Sequence, residues 1–192
     1  MDKFNIDRYY AKKKFWKFFG GEIRIFSENR QNLLFFVKQK AFKLKEDITI
    51  FADESQREAI LNIKARSILD FGTTYDITDS SNNQKVGALR RRGFKSILRD
   101  SWLILDANDK EIGNIQEDSI LLALLRRVLS NLVPQSFTIS VAGTTAGELQ
   151  QTFNPFVPQF TINFSMDRVK TLDRRLGIGA VILLQIIEGR QG

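Results

Sequence analysis

The 192-residue sequence contains neither cysteine nor histidine. Without cysteine there are no disulfides and no thiol nucleophile. Without histidine there is no Ser-His-Asp triad and no ordinary zinc site. Any metal would have to be a hard cation held by carboxylates and carbonyls. Paired acids at hydrolytic spacing are missing too, since Asp70 and Asp76 stand alone. The chain therefore reads as a non-enzyme. Met1 to Gly21 is charged and aromatic without an apolar centre, so no signal peptide is visible. The expected location is the cytoplasm, with peripheral contact at the inner membrane face. Long apolar runs are also absent. The longest, Leu176-Gly-Ile-Gly-Ala-Val-Ile-Leu-Leu-Gln-Ile-Ile187, would span roughly 18 Å as a helix, against a hydrocarbon core of ~30 Å.

What the chain does have is positive charge, net +7, which suits a polyanion such as nucleic acid or an anionic leaflet. Hydrophobic content of 43% and charged content of 27% fit an ordinary globular protein. The expected organisation is one domain over 1–192, with 1–14 as a flexible basic-aromatic arm.

The terminal apolar stretch has no polar face, so a helix there must be surrounded by protein. Most of what precedes it has β character. Glu22-Ile-Arg-Ile-Phe-Ser-Glu-Asn29 is matched by Asp47-Ile-Thr-Ile-Phe-Ala-Asp-Glu54, and each leads to a second run, Leu34 to Lys38 and Ile60 to Lys64. The period is about 26 residues. Looser copies are Thr74 to Leu89, turning through Asp79-Ser-Ser-Asn-Asn83, and Trp102 to Ile115, turning through Ala107 to Lys110. An amphipathic helix interrupts the series over Ile120 to Leu132, with Arg126 and Arg127 on its polar face and Pro134 ending it. Phe137 to Val141, Ala146 to Phe153 and Phe160 to Phe164 resume as strands, with Asn154 to Pro158 as a turn. A β-sheet of this size curls or closes, and closure removes exposed edges. The predicted fold is mainly β: a closed antiparallel barrel of about twelve strands around a central hydrophobic C-terminal helix, plus one amphipathic outer helix. A propeller is the competing reading of the hairpin repeat, but it offers no place for an apolar helix.

Three features carry a family resemblance. They are the hairpin repeat, Gly87-Ala-Leu-Arg-Arg-Arg-Gly93 followed by Ser96-Ile-Leu-Arg-Asp-Ser-Trp102, and the terminal Leu172-Asp-Arg-Arg-Leu176. Together they resemble the tubby C-terminal-like superfamily, in its phospholipid scramblase and LURP-one-related branch, over about Phe15 to Gly192. The resemblance implies a twelve-stranded barrel around a hydrophobic C-terminal helix. It also implies phosphoinositide binding through basic surface residues, or scrambling of phospholipids. The sequence departs from the animal scramblases in lacking their Cys-rich lipidation segment and Pro-rich extension. Where their calcium segment precedes the final helix, this chain has only Asp167 and Asp173 as acids, with Arg168 and Lys170 between them. A scramblase also needs a polar path across the bilayer, and no spanning segment is present.

Candidate site residues are accordingly basic. Arg90, Arg91, Arg92, Lys95 and Arg99 form the densest cluster, supplemented by Arg126 and Arg127, and suit phosphate contacts. Lys12, Lys13, Lys14, Trp16 and Lys17 form a basic-aromatic segment suited to the headgroup level of a membrane; packing of its aromatics inside the fold is the competing reading. Lys38, Lys40, Lys43 and Lys45 make a third cluster. Asp106, Asn108 and Glu117 fall at calcium-loop spacing, but Lys110 and Glu111 occupy the fifth and sixth positions and the sixth should be glycine, which speaks against calcium. No cofactor is expected. Gly177 and Gly179 follow no nucleotide-binding strand and are read as allowing close approach of the barrel wall. The functional expectation is a phospholipid scramblase-like protein binding anionic headgroups at a membrane surface. Its alternatives are a nucleic-acid-associated or regulatory protein using the same surface, and a small-ligand carrier or enzyme.

Overall fold

A computed structural model describes residues 2–16, 20–39, 47–67, 73–92, 101–118, 134–152, 157 and 159–187. Twelve strands run in chain order: β1 (Arg8–Trp16), β2 (Gly20–Ser27), β3 (Leu33–Gln39), β4 (Asp47–Phe51), β5 (Ala59–Ala65), β6 (Thr74–Asp79), β7 (Lys85–Arg91), β8 (Ser101–Leu105), β9 (Glu111–Glu117), β10 (Ser136–Val141), β11 (Thr144–Thr152) and β12 (Gln159–Asn163). One helix follows, α1 (Arg174–Ile187). Each strand pairs antiparallel with its sequence neighbours. The ring closes where β1 pairs β12, with Ala11 opposite Phe160. Arg8 to Lys14, expected in an arm, belong to β1, and Tyr9, Tyr10 and Ala11 are buried. The amphipathic helix expected over Ile120 to Leu132 lies outside the described residues.

The hairpin repeat is real in the backbone. The register slips after Ile25, Ile50, Ile77 and Ile104, once in each hairpin. Each following turn contains one left-handed non-glycine residue: Arg30, Gln56, Asn83 and Asp109, at φ of 62°, 57°, 56° and 67°. Asn29 holds the first of these turns, its Oδ1 accepting from the Gln31 amide at 3.1 Å, and short acids hold the other three. Asp53 Oδ1 accepts from the Ser55 amide at 2.7 Å, and Asp79 Oδ1 accepts from the Ser81 amide at 2.9 Å. Asp106 Oδ1 accepts from the amides of Asn108 and Lys110, both at 2.9 Å. The calcium-like spacing is thus a hairpin turn held by side-chain-to-backbone bonds.

Strand parity gives the barrel two unlike mouths. At one, the turn mouth, even strands pass to odd ones through the short turns just described. At the other, the connector mouth, odd strands end. The segments 17–19, 40–46, 66–73, 92–100, 118–135 and 153–158 join them to the next strand.

Inward-facing Ile25, Phe35, Ile50, Leu61, Ile63, Ile77, Ile139 and Ile162 are at most 1% exposed. Helix α1 buries every residue but Arg175. It packs against inward-facing positions of the sheet, and its glycines set the approach. A Cβ on Gly177 would lie 2.8 Å from Phe164 Cζ, and one on Gly179 would lie 2.6 Å from Ile77 Cδ1.

The helix begins beside the turn mouth at a charged latch. Arg174 is 7% exposed, and its Nη1 donates to Asp167 Oδ2 at 2.9 Å. Its Nη2 donates to the Phe164 carbonyl at 3.2 Å, and the guanidinium lies 4.9 Å over the Phe164 ring. Asp167 also accepts from the amides of Leu172 (3.0 Å) and Thr171 (2.8 Å). Arg175 bridges Asp173 and Asp79 at 2.7 and 2.8 Å. Burial opposes ionisation of Asp167. The Leu172 amide, the Thr171 hydroxyl and amide, and Arg174 outweigh it, holding the carboxyl below its usual value.

Two outcomes follow from this packing. Gly177→Ala should lower the urea midpoint despite a helix-propensity gain of about 1 kcal/mol, because crowding a rigid core costs about 1–3 kcal/mol; a raised midpoint would show that the Phe164 ring yields freely. The depressed Asp167 carboxyl stabilises the fold above its unfolded pKa of about 4, and that stability is lost as pH falls through the folded value. Asp167→Asn should therefore be less stable at pH 7, by about 3–5 kcal/mol for a broken buried pair. It should also lose less on acidification than the parent, as read by thermal melts between pH 7 and 3.

Candidate functional site

The basic residues are carried to the connector mouth by strand direction. β7 delivers the arginine run. Arg90 is exposed, and its Nε donates to Thr74 Oγ1 of the neighbouring strand at 3.1 Å. Arg91 sits opposite Trp102 and is half-buried. Arg92 is exposed, its amide donating to the Ser101 carbonyl at 2.9 Å. Its side chain lies 3.7 Å from Glu111, with both groups about half exposed. A pair of that kind contributes little and leaves the guanidinium available. Lys95, Arg99, Arg126 and Arg127 lie outside the described residues. So do Lys17, Lys40, Lys43 and Lys45.

β1 divides the basic-aromatic segment by pleat. Lys14 points outward and is exposed. Lys12 is half-buried on the same outer face, its Nζ 5.6 Å over the Tyr10 ring and 6.0 Å over Phe26. Trp16 ends the strand. Lys13 corrects the sequence reading. It points inward, is 7% exposed, and its Nζ donates to the Gln185 carbonyl in the last turn of α1. The expected membrane contact is instead a cap on a helix C-terminus, where carbonyls lack intrahelical partners and a cation is favoured. The run Lys12-Lys13-Lys14 hides this, because three identical side chains show no inward–outward alternation.

The arrangement places the strand ends bearing Lys14, Lys38 and Arg90 to Arg92 around one mouth, and Lys38 is exposed near the end of β3. The segments joined at this mouth are rich in paired basic and apolar residues: Lys17-Phe-Phe19, Lys40-Ala-Phe-Lys-Leu-Lys45 and Arg92-Gly-Phe-Lys-Ser-Ile-Leu-Arg99. The turns at the other mouth carry Asp53, Glu54, Glu58, Asp106 and Asp109 interleaved with Arg30, Arg57, Lys85 and Lys110. Arg66 and Lys85 hold Asp109 down to about 2, so it stays charged at neutral pH. No group of three metal-ligating side chains occurs among the described residues, and none of the described helices is long and apolar enough to cross a membrane. The chemistry available from the described residues of this mouth is anion recognition by Lys and Arg.

The Lys13 assignment separates stability from binding. Lys13→Met should lower the unfolding free energy by about 1–3 kcal/mol, the cost of leaving a buried carbonyl unpaired. Vesicle binding by the remaining folded protein should stay unchanged, as measured by co-sedimentation. A loss of binding with stability intact would restore Lys13 to the surface.

The fold and sequence were compared with known proteins. A family model described as LURP-one-related matches residues 33–183. A crystal structure of an Arabidopsis thaliana protein superposes with a TM-score of 0.52 at 11% identity, covering 95% of this chain and 92% of that one. At that identity the likeness concerns the fold alone. No curated protein matches the sequence. The match spans most of the chain, from β3 into α1, so the protein belongs to the LURP-one-related family of the tubby-like and scramblase superfamily.

Proposed function

We propose that this protein is a binding module for the surface of an anionic phospholipid bilayer, docking through its connector mouth, with α1 filling the barrel along its axis. The observation that carries the reading is the common mouth. Strands β1, β3 and β7 end there, and with them the ends of all three basic clusters legible in the sequence. Lysine and arginine attract an anionic leaflet at about 1 kcal/mol per residue near the surface. The phenylalanine and leucine beside them in the joining segments suit the headgroup–acyl boundary. The turn mouth, where acids and bases are interleaved, would face away from the membrane, which gives docking a fixed polarity. Among the family's associated roles, passive binding asks only for this surface, whereas scrambling asks in addition for a polar route through the bilayer.

Co-sedimentation tests the reading. The protein should pellet with phosphatidylcholine vesicles containing phosphatidylserine and remain in solution with phosphatidylcholine alone. Binding should fall steeply between low and high salt as surface charges are screened. Gel shifts with DNA and RNA run alongside. Retardation of nucleic acid with no pelleting on anionic vesicles would overturn the proposal in favour of the nucleic-acid alternative.

A further inference from the structure

The hairpin repeat carries charge as well as backbone geometry. Near the end of each of the first four odd strands stands one exposed, outward-facing cation: Lys14 on β1, Lys38 on β3, Lys64 on β5 and Arg90 on β7. The last three are spaced 26 residues apart, the step of the repeat itself. One further step reaches Gln116 on β9, and the corresponding position on β11 is Gln150; both are exposed and uncharged. The outer wall beside the connector mouth is therefore cationic at these positions from β1 to β7 and uncharged at the corresponding positions of β9 and β11, where the nearby exposed charges, Asp118 and Glu148, are acidic.

These charges are not neutralised by a carboxylate among the described residues. Glu22 faces both Lys14 and Lys38 in the register, but its carboxylate lies 2.7 Å from Arg24. Asp47 and Asp76 flank Lys64. Asp47 accepts from Asn62 at 2.6 Å, and Asp76 is held by Arg66 at 2.7 Å and Lys85 at 3.2 Å. Lys14, Lys38, Lys64 and Arg90 make no ion pair among the described residues. The carboxylates placed to neutralise them have other partners.

Strand order then fixes how far apart they stand. β1 and β7 are six places apart in a closed ring of twelve, on opposite sides of the barrel. With ~4.8 Å between strands and a tilt of about 40°, the ring is roughly 20–25 Å across. A single phosphorylated headgroup cannot touch both ends of such an arc, whereas a charged bilayer lying across the mouth meets all of it. We infer that the arc from Lys14 through Lys38 and Lys64 to Arg90 senses the surface charge density of an anionic membrane and does not select one headgroup. This rests on the bilayer reading above and adds to it the class of lipid recognised. Each cation acts separately, so the contributions multiply in the binding constant.

The test uses the full chain and three vesicle sets: phosphatidylcholine alone, with phosphatidylserine, and with a phosphatidylinositol bisphosphate at matched surface charge. The two anionic sets should bind equally, and soluble inositol trisphosphate should not compete. Lys38→Gln and Lys64→Gln should each weaken binding about fivefold and their combination about 25-fold, and Gln116→Lys should strengthen it about fivefold. Circular dichroism and melting temperature check that each variant folds; all sites are exposed, so both should hold. Binding confined to the bisphosphate set and competed by the soluble headgroup would overturn the inference while leaving lipid binding intact. So would insensitivity to Lys64→Gln and Gln116→Lys beside a large loss in Arg90→Gln, since that would mark one local pocket. Failure to bind either anionic set would overturn the bilayer reading and this inference with it.

Discussion

A helix that is apolar on every side cannot meet water, and that one requirement organises the molecule. From Leu176 to Ile187 every residue is buried, so protein must present an apolar surface to it. A closed ring of alternating strands supplies one, with isoleucine, leucine and phenylalanine turned inward and no unpaired edge left over. The two helix ends are the difficult points, because backbone groups there lack intrahelical partners in a place where water is scarce. At the entry, Arg174 and Asp167 satisfy each other and the surrounding carbonyls and amides. Near the exit, Lys13 reaches the Gln185 carbonyl from β1. A lysine that composition assigns to the surface is recruited to the inside because the helix needs a donor there.

The same closure separates two tasks in space. Every even-to-odd passage is a short turn with a left-handed residue, and in three of them an acid accepts backbone amides, so the turn mouth is locally determined. The odd-to-even passages are mostly longer in sequence, and lysine, arginine and phenylalanine collect in them. Acidic residues serve turn chemistry at one end, where a short carboxylate can accept backbone N–H bonds. The placement of acids in the barrel thus follows in part from what a short carboxylate can do for a hairpin.

Much of this was legible in the sequence, for identifiable reasons. Strands of period two bounded by Asp, Asn and Ser announce themselves, and β2 to β9 fall where the hairpin repeat puts them. The terminal helix was legible from its lack of a polar face together with its length. Gly177 and Gly179 were read as points of close approach, and Phe164 and Ile77 occupy the space their side chains would need. Pairing across long separations was not legible. Lys13 reads as one of three equivalent lysines until the helix carbonyl 172 residues away enters, and Arg8 to Lys14 read as an arm until β12 is laid beside them. Lys64 was missed for another reason. Within its own strand it is an ordinary solvent-facing residue, and only its spacing from Lys38 and Arg90 marks it.

That spacing is where fold and charge meet. A repeat of 26 residues advances the chain by one hairpin, so positions one period apart return to neighbouring odd strands at comparable height and on the same face. A cation kept at that position becomes a row along the wall without any local clustering in the sequence. Composition searches find Arg90-Arg-Arg92 because its charges are adjacent in the chain, yet adjacent strand residues alternate between faces, and the middle arginine is only half exposed. Charges separated by a whole repeat share one face and one level. In a barrel built from repeated hairpins, the periodic set is the better guide to the surface a partner would meet.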